Sequence, residues 1–432
     1  MTLAGIACSV VFVIVFALIA SEKVDRTKAA LAGGAFVLLA GLVDQRFAFH
    51  GDATGAGGID WNTILLLVGA MIIVNVSRRT GMFEWLAIKA AKLVRGHPLG
   101  VLLLLATVTA LLSALLDNVT TVVTIVPVAI LICEALAVDV VPFLIIIVMA
   151  SNIGGAATLV GHPPNIMIGS ATGFSFMDFL RVDGPIAGAV LLLFLGGVGF
   201  TQRRRLRVSP EARRRVMDLD ESEVLTDRPL LWRCLVVMGL TVTGFLAHGA
   251  LGLQPATIAL GGAALLLLLD RESAHEALAQ VEWSTIFFFL GLFIIVSGLV
   301  ETGVLKLLGQ GILRASGGSL PALTFGLVWV SGLVCGMIDH IPYTAAMIPV
   351  VKDMAAALPP GRDQVLWWAL SLGANLGANL TLIAAASNLV VAGISERAGY
   401  RITFRRFLKY GAGVAIGSLA LSSLYLWLIF LR

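Results

Sequence analysis

The chain of 432 residues is 58% hydrophobic and 13% charged, whereas soluble globular domains carry about 25% charged residues. Its mean hydropathy of +0.96 indicates an integral membrane protein rather than a soluble enzyme or a nucleic-acid-binding protein. The formal net charge of +4 is concentrated in a few loops, as expected for charges that orient a membrane protein. Cys8, Cys133, Cys234 and Cys335 have no CxxC spacing, so we expect no disulfide framework, no metal site and no cofactor.

Apolar runs of about 20 residues, the length that crosses a bilayer, predict about ten crossings and an all-α polytopic fold. The runs lie near residues 2–20, 27–43, 60–77, 140–172, 185–200, 230–250, 254–270, 282–300, 366–396 and 408–431. Two further regions, 98–138 and 320–358, each consist of two apolar legs with a polar tip. We interpret these two regions as hairpins, which return to the side on which they start.

Lysine and arginine mark the loops that stay in the cytoplasm. They cluster at 23–28, 78–95, 203–215 and 397–409, which places both termini outside. The basic stretch 201–229 is also the only segment that resembles a linker, and it divides the chain near its middle. We therefore predict a first repeat over 1–200, a cytoplasmic linker over 201–229 and a second repeat over 230–432.

The two halves are similar in sequence. DWNTILLLVGAMIIVNVSRRTG, from Asp60, resembles EWSTIFFFLGLFIIVSGLVETG, from Glu282, and LDNVTTVVTIVPV resembles IDHIPYTAAMIPV at the same offset of 222 residues. Because each half contains an odd number of crossings, the second repeat enters the membrane with inverted orientation. Inverted repeats with interrupted helices are typical of secondary transporters, whose site lies where the interrupted elements meet.

An interrupted helix is predicted in each half, over 140–172 and 366–396. The first contains ASNIGGAATLVGHPPNIMIG, in which the GG and PP pairs disfavour continuous helix. A break exposes backbone amides and carbonyls that can bind a solute. Asn152 and Asn165 recur as Asn375 and Asn388 in the other half, which favours a binding site over a packing kink.

Each hairpin has an aspartate at its tip. Asp117 and Asp339 lie inside long apolar regions, where a charged side chain costs roughly 2.5–3.5 kcal/mol or more. Desolvation favours the neutral form of a carboxyl group, so either aspartate can load and release a proton. We predict Asp117 and Asp339 as the proton-coupling residues and expect them to meet across the two tips. The predicted substrate-binding residues are Asn118, Asn152, Thr158, Asn165, His340, Asn375 and Asn388.

GGAATLVGHPPN and the two tips resemble the ion transporter superfamily. This superfamily includes the divalent anion/sodium symporters, the NhaD-type sodium/proton antiporters, the ArsB-type arsenite permeases and the melanosomal pink-eyed dilution protein. The resemblance covers nearly the whole chain, and SNIGGAAT followed by PPN is most similar to the arsenic permease and pink-eyed dilution branch. It implies a multi-pass protein of the bacterial inner membrane. In the anion symporters the tips read Ser-Asn-Thr, whereas residues 117–119 read Asp-Asn-Val and 339–341 read Asp-His-Ile.

The acidic tips disfavour a dicarboxylate because like charges repel strongly at low dielectric. The sequence also predicts no arginine or lysine in the site, an arrangement unsuited to an oxyanion. Uncharged arsenite or antimonite, a trihydroxide, suits asparagine and threonine side chains. We therefore predict proton-coupled export of arsenite or antimonite. A sodium/proton antiporter of the NhaD type and an anion permease or channel are the alternatives.

The predicted partners are the transported solute, protons and membrane lipid. No GxxxxGK[ST] motif occurs in the chain, so an ion gradient or a separate soluble ATPase subunit would supply the energy. The sequence leaves open whether such a subunit is used and whether the protein forms a homodimer.

Overall fold

The computed structural model describes residues 2–21, 23–52, 56–203, 206, 208–271, 273–359 and 361–432. All regular secondary structure in these ranges is helical. The helices before the linker are α1 Leu3–Ala20, α2 Arg26–Leu39, α3 Gln45–His50, α4 Trp61–Arg78, α5 Met82–Leu93, α6 Pro98–Leu115, α7 Asn118–Leu136, α8 Val140–Gly155, α9 Pro163–Thr172 and α10 Phe176–Gln202. The linker contains α11 Pro210–Met217. After it come α12 Arg228–Leu251, α13 Pro255–Leu269, α14 Ala274–Ala279, α15 Trp283–Glu301, α16 Val304–Ala315, α17 Leu320–Cys335, α18 His340–Ala356, α19 Gln364–Gly377, α20 Ala386–Arg397 and α21 Phe404–Leu426.

The helices that precede α11 in the chain and those that follow it have the same order of long, short and interrupted helices. The hairpins are α6–α7 and α17–α18, and the interrupted helices are α8–α9 and α19–α20, with a short 3₁₀ turn at Leu382–Ala384 in the second break. The predicted all-α polytopic fold with two hairpins and two interrupted helices is confirmed. The boundaries of the two repeats stay a prediction.

Among the residues that the structure describes, seven helices are long and apolar enough to cross a membrane: α4, α6, α7, α10, α12, α15 and α21 with its short continuation. Four shorter apolar helices accompany them, α1, α8, α13 and α17. Two helices, α10 and α21, begin four or more residues before the apolar runs predicted over 185–200 and 408–431. Ser175 and Asp178 form a capping box that starts α10, and Thr403 caps α21, because hydroxyl and carboxylate oxygens satisfy the free amides at a helix start.

Helices from different halves pack against each other at glycines. α2 packs against α15 and α4 packs against α13. A Cβ added at Gly291 would lie 2.5 Å from the backbone carbon of Ala30, and one at Gly69 would lie 2.7 Å from that of Ala259. Since only glycine allows these backbones to approach so closely, the two contacts fix α2 and α13, each against the opposite half.

The linker is anchored to the first half. α11 packs against α5 and α7, and Glu221 forms ion pairs with Lys89 and Lys92. The hydrogen bond from Lys92 lowers the pKa of Glu221 to about 2, so this carboxylate stays charged at neutral pH. The ion pairs therefore persist even when the pH falls below the ordinary pKa of a glutamate, and they are lost only as the pH approaches 2.

Orientation across the membrane is testable with exposed single cysteines. Asp52 and Arg362 lie near the loops predicted outside, and Arg214 lies in the linker predicted inside; all three side chains are exposed. Asp52→Cys and Arg362→Cys should react with an impermeant maleimide added to intact cells, and Arg214→Cys should react only after the membrane is opened. Labelling of positions 52 and 214 from the same side would contradict the inverted-repeat prediction. The four native cysteines are buried, which keeps the background low.

Candidate functional site

Each hairpin tip is an aspartate that caps the helix after it. Asp117 accepts hydrogen bonds from the backbone amide and hydroxyl of Thr120 at 3.1 and 3.2 Å. Asp339 accepts from the backbone amide of Ile341 at 2.9 Å. Their side chains are only 5% and 7% exposed. Both predicted proton-coupling residues therefore occupy buried helix starts, where a capping oxygen is favourable.

An asparagine side chain holds each helix break in shape. Asn165 Nδ2 donates to the carbonyls of Ala156 and Thr158 at 3.2 and 2.8 Å. In the other half, Asn388 Nδ2 donates to the carbonyls of Ala378 and Thr381 at 2.9 and 3.0 Å. These bonds satisfy carbonyls that the interrupted helices leave free. The amide nitrogens of both predicted site asparagines thus have a structural role.

A threonine in each break joins it to the neighbouring hairpin. Thr158 Oγ1 donates to the carbonyl of Ala114, and Thr381 Oγ1 donates to the carbonyl of Gly336 at 2.6 Å. Thr158 stays a predicted substrate-binding residue, and its hydroxyl bond to Ala114 joins the break to α6.

A central amide network connects the two halves. Asn152 Nδ2 donates to Asn388 Oδ1 at 3.0 Å and to Asn379 Oδ1 at 3.1 Å. Asn152 Oδ1 accepts from Ser387 Oγ at 3.0 Å, and Asn118 Nδ2 donates to the same Ser387 oxygen at 3.2 Å. Three of the predicted site residues therefore meet here. Asn118 of α7 and Asn152 of α8 come from the first half, and Asn388 of α20 comes from the second.

Two histidines extend this network to the second tip. Asn118 Nδ2 lies 3.0 Å from His162 Nε2, His162 Nδ1 lies 3.0 Å from His340 Nε2, and His340 Nδ1 lies 3.0 Å from the carbonyl of Ala384. Because the Asn118 amide nitrogen and the Ala384 oxygen fix the roles at the two ends, one assignment satisfies every contact: both rings are neutral with hydrogen on Nδ1. The result is a continuous hydrogen-bonded chain between the two tips.

Asn165 and Asn375 belong to a second, separate cluster. Asn375 Nδ2 donates to Asn165 Oδ1 at 2.6 Å, and Ser371 Oγ lies 2.8 Å from the same oxygen. Ser371 Oγ also lies 2.6 Å from Asp183 Oδ2. The predicted site residues are therefore divided between the amide and histidine network and this cluster.

A small cavity lies beside the first network. Asp117, Asn118 and His340 line it from the two tips, and Arg26 and Glu282 line it from the other side. Its volume is about 10 Å³, enough for roughly one water molecule. Residues of both hairpins thus meet at one cavity, although Asp339 itself directs a carboxylate oxygen to Arg26.

The expectation that the site contains no arginine is wrong. Arg26 Nη1 lies 3.3 Å from Asp339 Oδ2, and Arg26 Nη2 lies 3.3 Å from Thr285 Oγ1. From its position in the sequence Arg26 indicated only the orientation of a loop. It enters the site because α2 packs along α15, which brings the start of α2 to the tip of the second hairpin.

The two halves differ around the helix breaks. Asp60 caps α4 and accepts a hydrogen bond from Ser170 of α9 at 2.8 Å. The equivalent of Asp60 is Glu282, but the equivalent of Ser170 is Gly393, which has no hydroxyl to donate. A hydrogen bond therefore joins α4 to α9 in the first half, whereas Glu282 of the second half lines the cavity with Arg26.

Several residues of the site were not predicted, among them Arg26, Glu282, Ser387 and Asp183. Arg26 and Glu282 line the cavity, Ser387 bridges Asn118 and Asn152, and Asp183 belongs to the second cluster. Glu282 had a usable signal, because it is the repeat mate of the helix-capping Asp60. Asp183 offered no such signal, because it precedes the apolar run predicted over 185–200 and lies close to Asp178 and Arg181.

Comparisons with known proteins agree with this architecture. The family model described as "CitMHS: Citrate transporter" matches residues 16–373. The protein named "Uncharacterized transporter Mb2703" from Mycobacterium bovis is 45% identical over 422 residues, with 97% of each chain covered. The human P protein is 32% identical over 492 residues, which cover 95% of this chain and 58% of that protein.

The YdaH transporter of Alcanivorax borkumensis, a solved structure described as having an unusual topology, has a similar fold. The TM-score is 0.58, the identity is 14%, and 98% of each chain is covered. The predicted resemblance to the ion transporter superfamily is confirmed. Since the family model covers most of the chain and the relatives align along almost all of it, this membrane protein belongs to the CitMHS transporter family.

Proposed function

We propose that this transporter exports arsenite or antimonite in exchange for protons. The observation that carries the proposal is the charge balance at the cavity. The carboxylates of Asp117 and Glu282 line the cavity together with the guanidinium of Arg26, and a third carboxylate, that of Asp339, pairs with Arg26 at 3.3 Å. With all four groups charged, the site has an excess of negative charge, which favours binding a proton and disfavours a dianion.

Asp117 is the proposed proton carrier. Asp339 has a cationic partner in Arg26 at 3.3 Å, whereas the hydrogen bonds described for Asp117 come from the neutral Thr120. A proton on Asp117 removes a buried charge, and no basic side chain bonds to its carboxylate in the described part of the chain. Asp339 is proposed to hold Arg26.

The amide network is the proposed binding surface for the solute. Asparagine side chains, Ser387 and the neutral His162–His340 pair offer both donors and acceptors without a net charge. A trihydroxide also donates and accepts through each OH group, so it can replace bonds that the network makes with itself. The cavity beside the tips is too small for such a solute in this conformation, and entry requires the tips to separate from the breaks.

The closed contact between Asp60 and Ser170 supports alternating access. On the related side Glu282 lines the cavity, and Gly393, the equivalent of Ser170, has no hydroxyl to bond it. Arg26 belongs to a cluster predicted cytoplasmic, so the cavity would lie on the cytoplasmic side of the site. Loss of the Asp60–Ser170 hydrogen bond, together with closure around Glu282, would then expose the site to the other side.

Transport of an organic anion is the second candidate. Arg26 supplies the guanidinium that the sequence had not predicted, and guanidinium groups bind carboxylates well. The description of the family as a citrate transporter supports the same alternative. The excess of carboxylates around Arg26 argues against it. A sodium/proton antiporter would use the same carboxylates for a cation.

A flux assay separates these candidates. Purified protein in proteoliposomes should move arsenite when a pH gradient is applied, and cells without their own exporter should gain arsenite resistance on expressing it. Succinate and citrate uptake, and sodium-dependent changes of internal pH, are measured in the same vesicles, with protein-free vesicles as the control. Flux of citrate or sodium without arsenite flux would contradict the proposal and select the corresponding alternative.

A further inference from the structure

A second buried acid lies away from the hairpin tips, on α10. Asp183 is 0% exposed, and its Oδ2 lies 2.6 Å from Ser371 Oγ of α19. Within the described ranges its other oxygen, Oδ1, has no hydrogen-bond partner, and neither has Oδ1 of Asn375 in the same cluster. An ionised carboxylate is costly in such surroundings unless a cation or several donors compensate it.

The orientation of the neighbouring amides is fixed by their other bonds. Asn165 Nδ2 donates to two backbone carbonyls at 3.2 and 2.8 Å, so Asn165 Oδ1 must face Ser371. Asn375 Nδ2 donates to this Oδ1 at 2.6 Å, since the reverse orientation would bring two oxygens together. Asn165 therefore presents only an acceptor to the serine hydroxyl.

The cluster is one hydrogen short if Asp183 is ionised. Ser371 Oγ lies 2.8 Å from Asn165 Oδ1 and 2.6 Å from Asp183 Oδ2, and both distances are those of O–H···O hydrogen bonds. A serine hydroxyl has a single hydrogen. With an ionised Asp183, one of the two short contacts would be between bare acceptors. A proton on Asp183 Oδ2 completes both, because Asp183 then donates to Ser371 and Ser371 donates to Asn165.

The helices around α10 offer no cation instead. α10 packs against α6, α8, α12, α19 and α21. Of these, α6, α8 and α19 contain no Asp, Glu, Lys, Arg or His at any position.

On the other two helices the near ionisable groups are occupied elsewhere. Tyr425 of α21 donates to the carbonyl of Val182 at 2.8 Å, and His248 of α12 accepts from the amide of Phe176 at 2.9 Å. The basic residues of α12 and α21 lie towards the opposite ends of those helices: Arg228, Arg233, Arg405, Arg406 and Lys409. On α10 itself, Asp178 bonds Ser175 and the side chain of Arg181 is exposed.

We propose that Asp183 is a second proton-binding site, occupied in this conformation and separate from Asp117. The proton joins α10 to α19 and, through Ser371, to Asn165 of α9. Because α9 and α19 come from different halves, a movement that separates them removes the acceptors that hold the proton. Occupancy of Asp183 is thereby linked to the contact between the two interrupted helices, whatever solute the protein carries.

Infrared difference spectroscopy tests this site directly. The wild-type protein in proteoliposomes at pH 7 should show a protonated-carboxyl C=O band that Asp183→Asn removes, with a loss equal to one carboxyl group per chain. The asparagine amide can still donate to Ser371, so this variant should fold. Asp178→Asn is the matched control on the same helix and should leave the band unchanged. A wild-type spectrum from which Asp183→Asn removes no such band would overturn the proposal.

A second variant identifies the hydrogen bond. Ser371→Ala removes the acceptor of the Asp183 proton, so the band should move to higher frequency as that bond is lost. A band that Asp183→Asn removes but Ser371→Ala leaves at the same frequency would contradict the assigned proton position. Neither result depends on arsenite transport, so failure of the flux assay and failure of this proposal are distinguishable.

Discussion

Asp117→Asn is expected to reduce proton-driven transport to the level of protein-free vesicles while the protein still folds. Asparagine caps a helix about as well as aspartate, so the hydrogen bonds to Thr120 at 3.1 and 3.2 Å can be retained. The substitution removes only the titratable group. Arsenite flux driven by a pH gradient measures the coupling, and exchange of arsenite without a gradient should persist.

Asp139→Asn is the control for this substitution. Asp139 caps α8 through the amide of Val141 at 3.1 Å, but its side chain is 59% exposed and pairs with Arg406 at the surface. This variant should transport normally. Wild-type coupling in Asp117→Asn would show that Asp117 is only a helix cap.

Arg26→Gln is expected to destabilise the protein and to impair transport together. It leaves the Asp339 carboxylate, 7% exposed, without its cationic partner. Removal of one partner from a fully buried pair costs roughly 3–5 kcal/mol. Because Arg26 is 25% exposed, solvent screening reduces this to about 1–3 kcal/mol. Thermal unfolding in detergent measures the loss.

The double variant Arg26→Gln/Asp339→Asn should recover much of that stability, since it leaves no unpaired charge. Arg79→Gln provides a matched control, because Arg79 pairs with Asp270 at 2.8 Å and has a similar exposure of 20%. It should lower stability but spare transport. Equal stability of the single and double Arg26 variants would contradict an energetic coupling between Arg26 and Asp339.

Local signals explain why the hairpins and breaks were predictable. Polar residues inside apolar runs, such as Asp117, and the GG and PP pairs around 154–164 are visible in the sequence. They act on the backbone within a few residues, as helix caps or helix breaks. The structure places helix starts and breaks at these positions. Asn152 and Asn388, chosen because they recur in the two halves, are hydrogen-bonded to each other at 3.0 Å.

The contents of the site depended on contacts between distant segments. Arg26 lies 313 residues from Asp339 along the chain, and no local pattern indicates that α2 packs along α15. In the same way, the sequence does not show that Asn165 and Asn375 would join Asp183 instead of the tips.

The sequence by itself therefore determined the membrane class, the two polar-tipped hairpins and the two interrupted helices. Composition sets the solvent that a segment tolerates, and caps and breakers act over a few residues. Only the tertiary structure decided which polar groups share a hydrogen bond or an ion pair. Those partners are selected by close helix packing, as at Gly291 against Ala30, and such packing depends on the shapes of surfaces far apart in the chain.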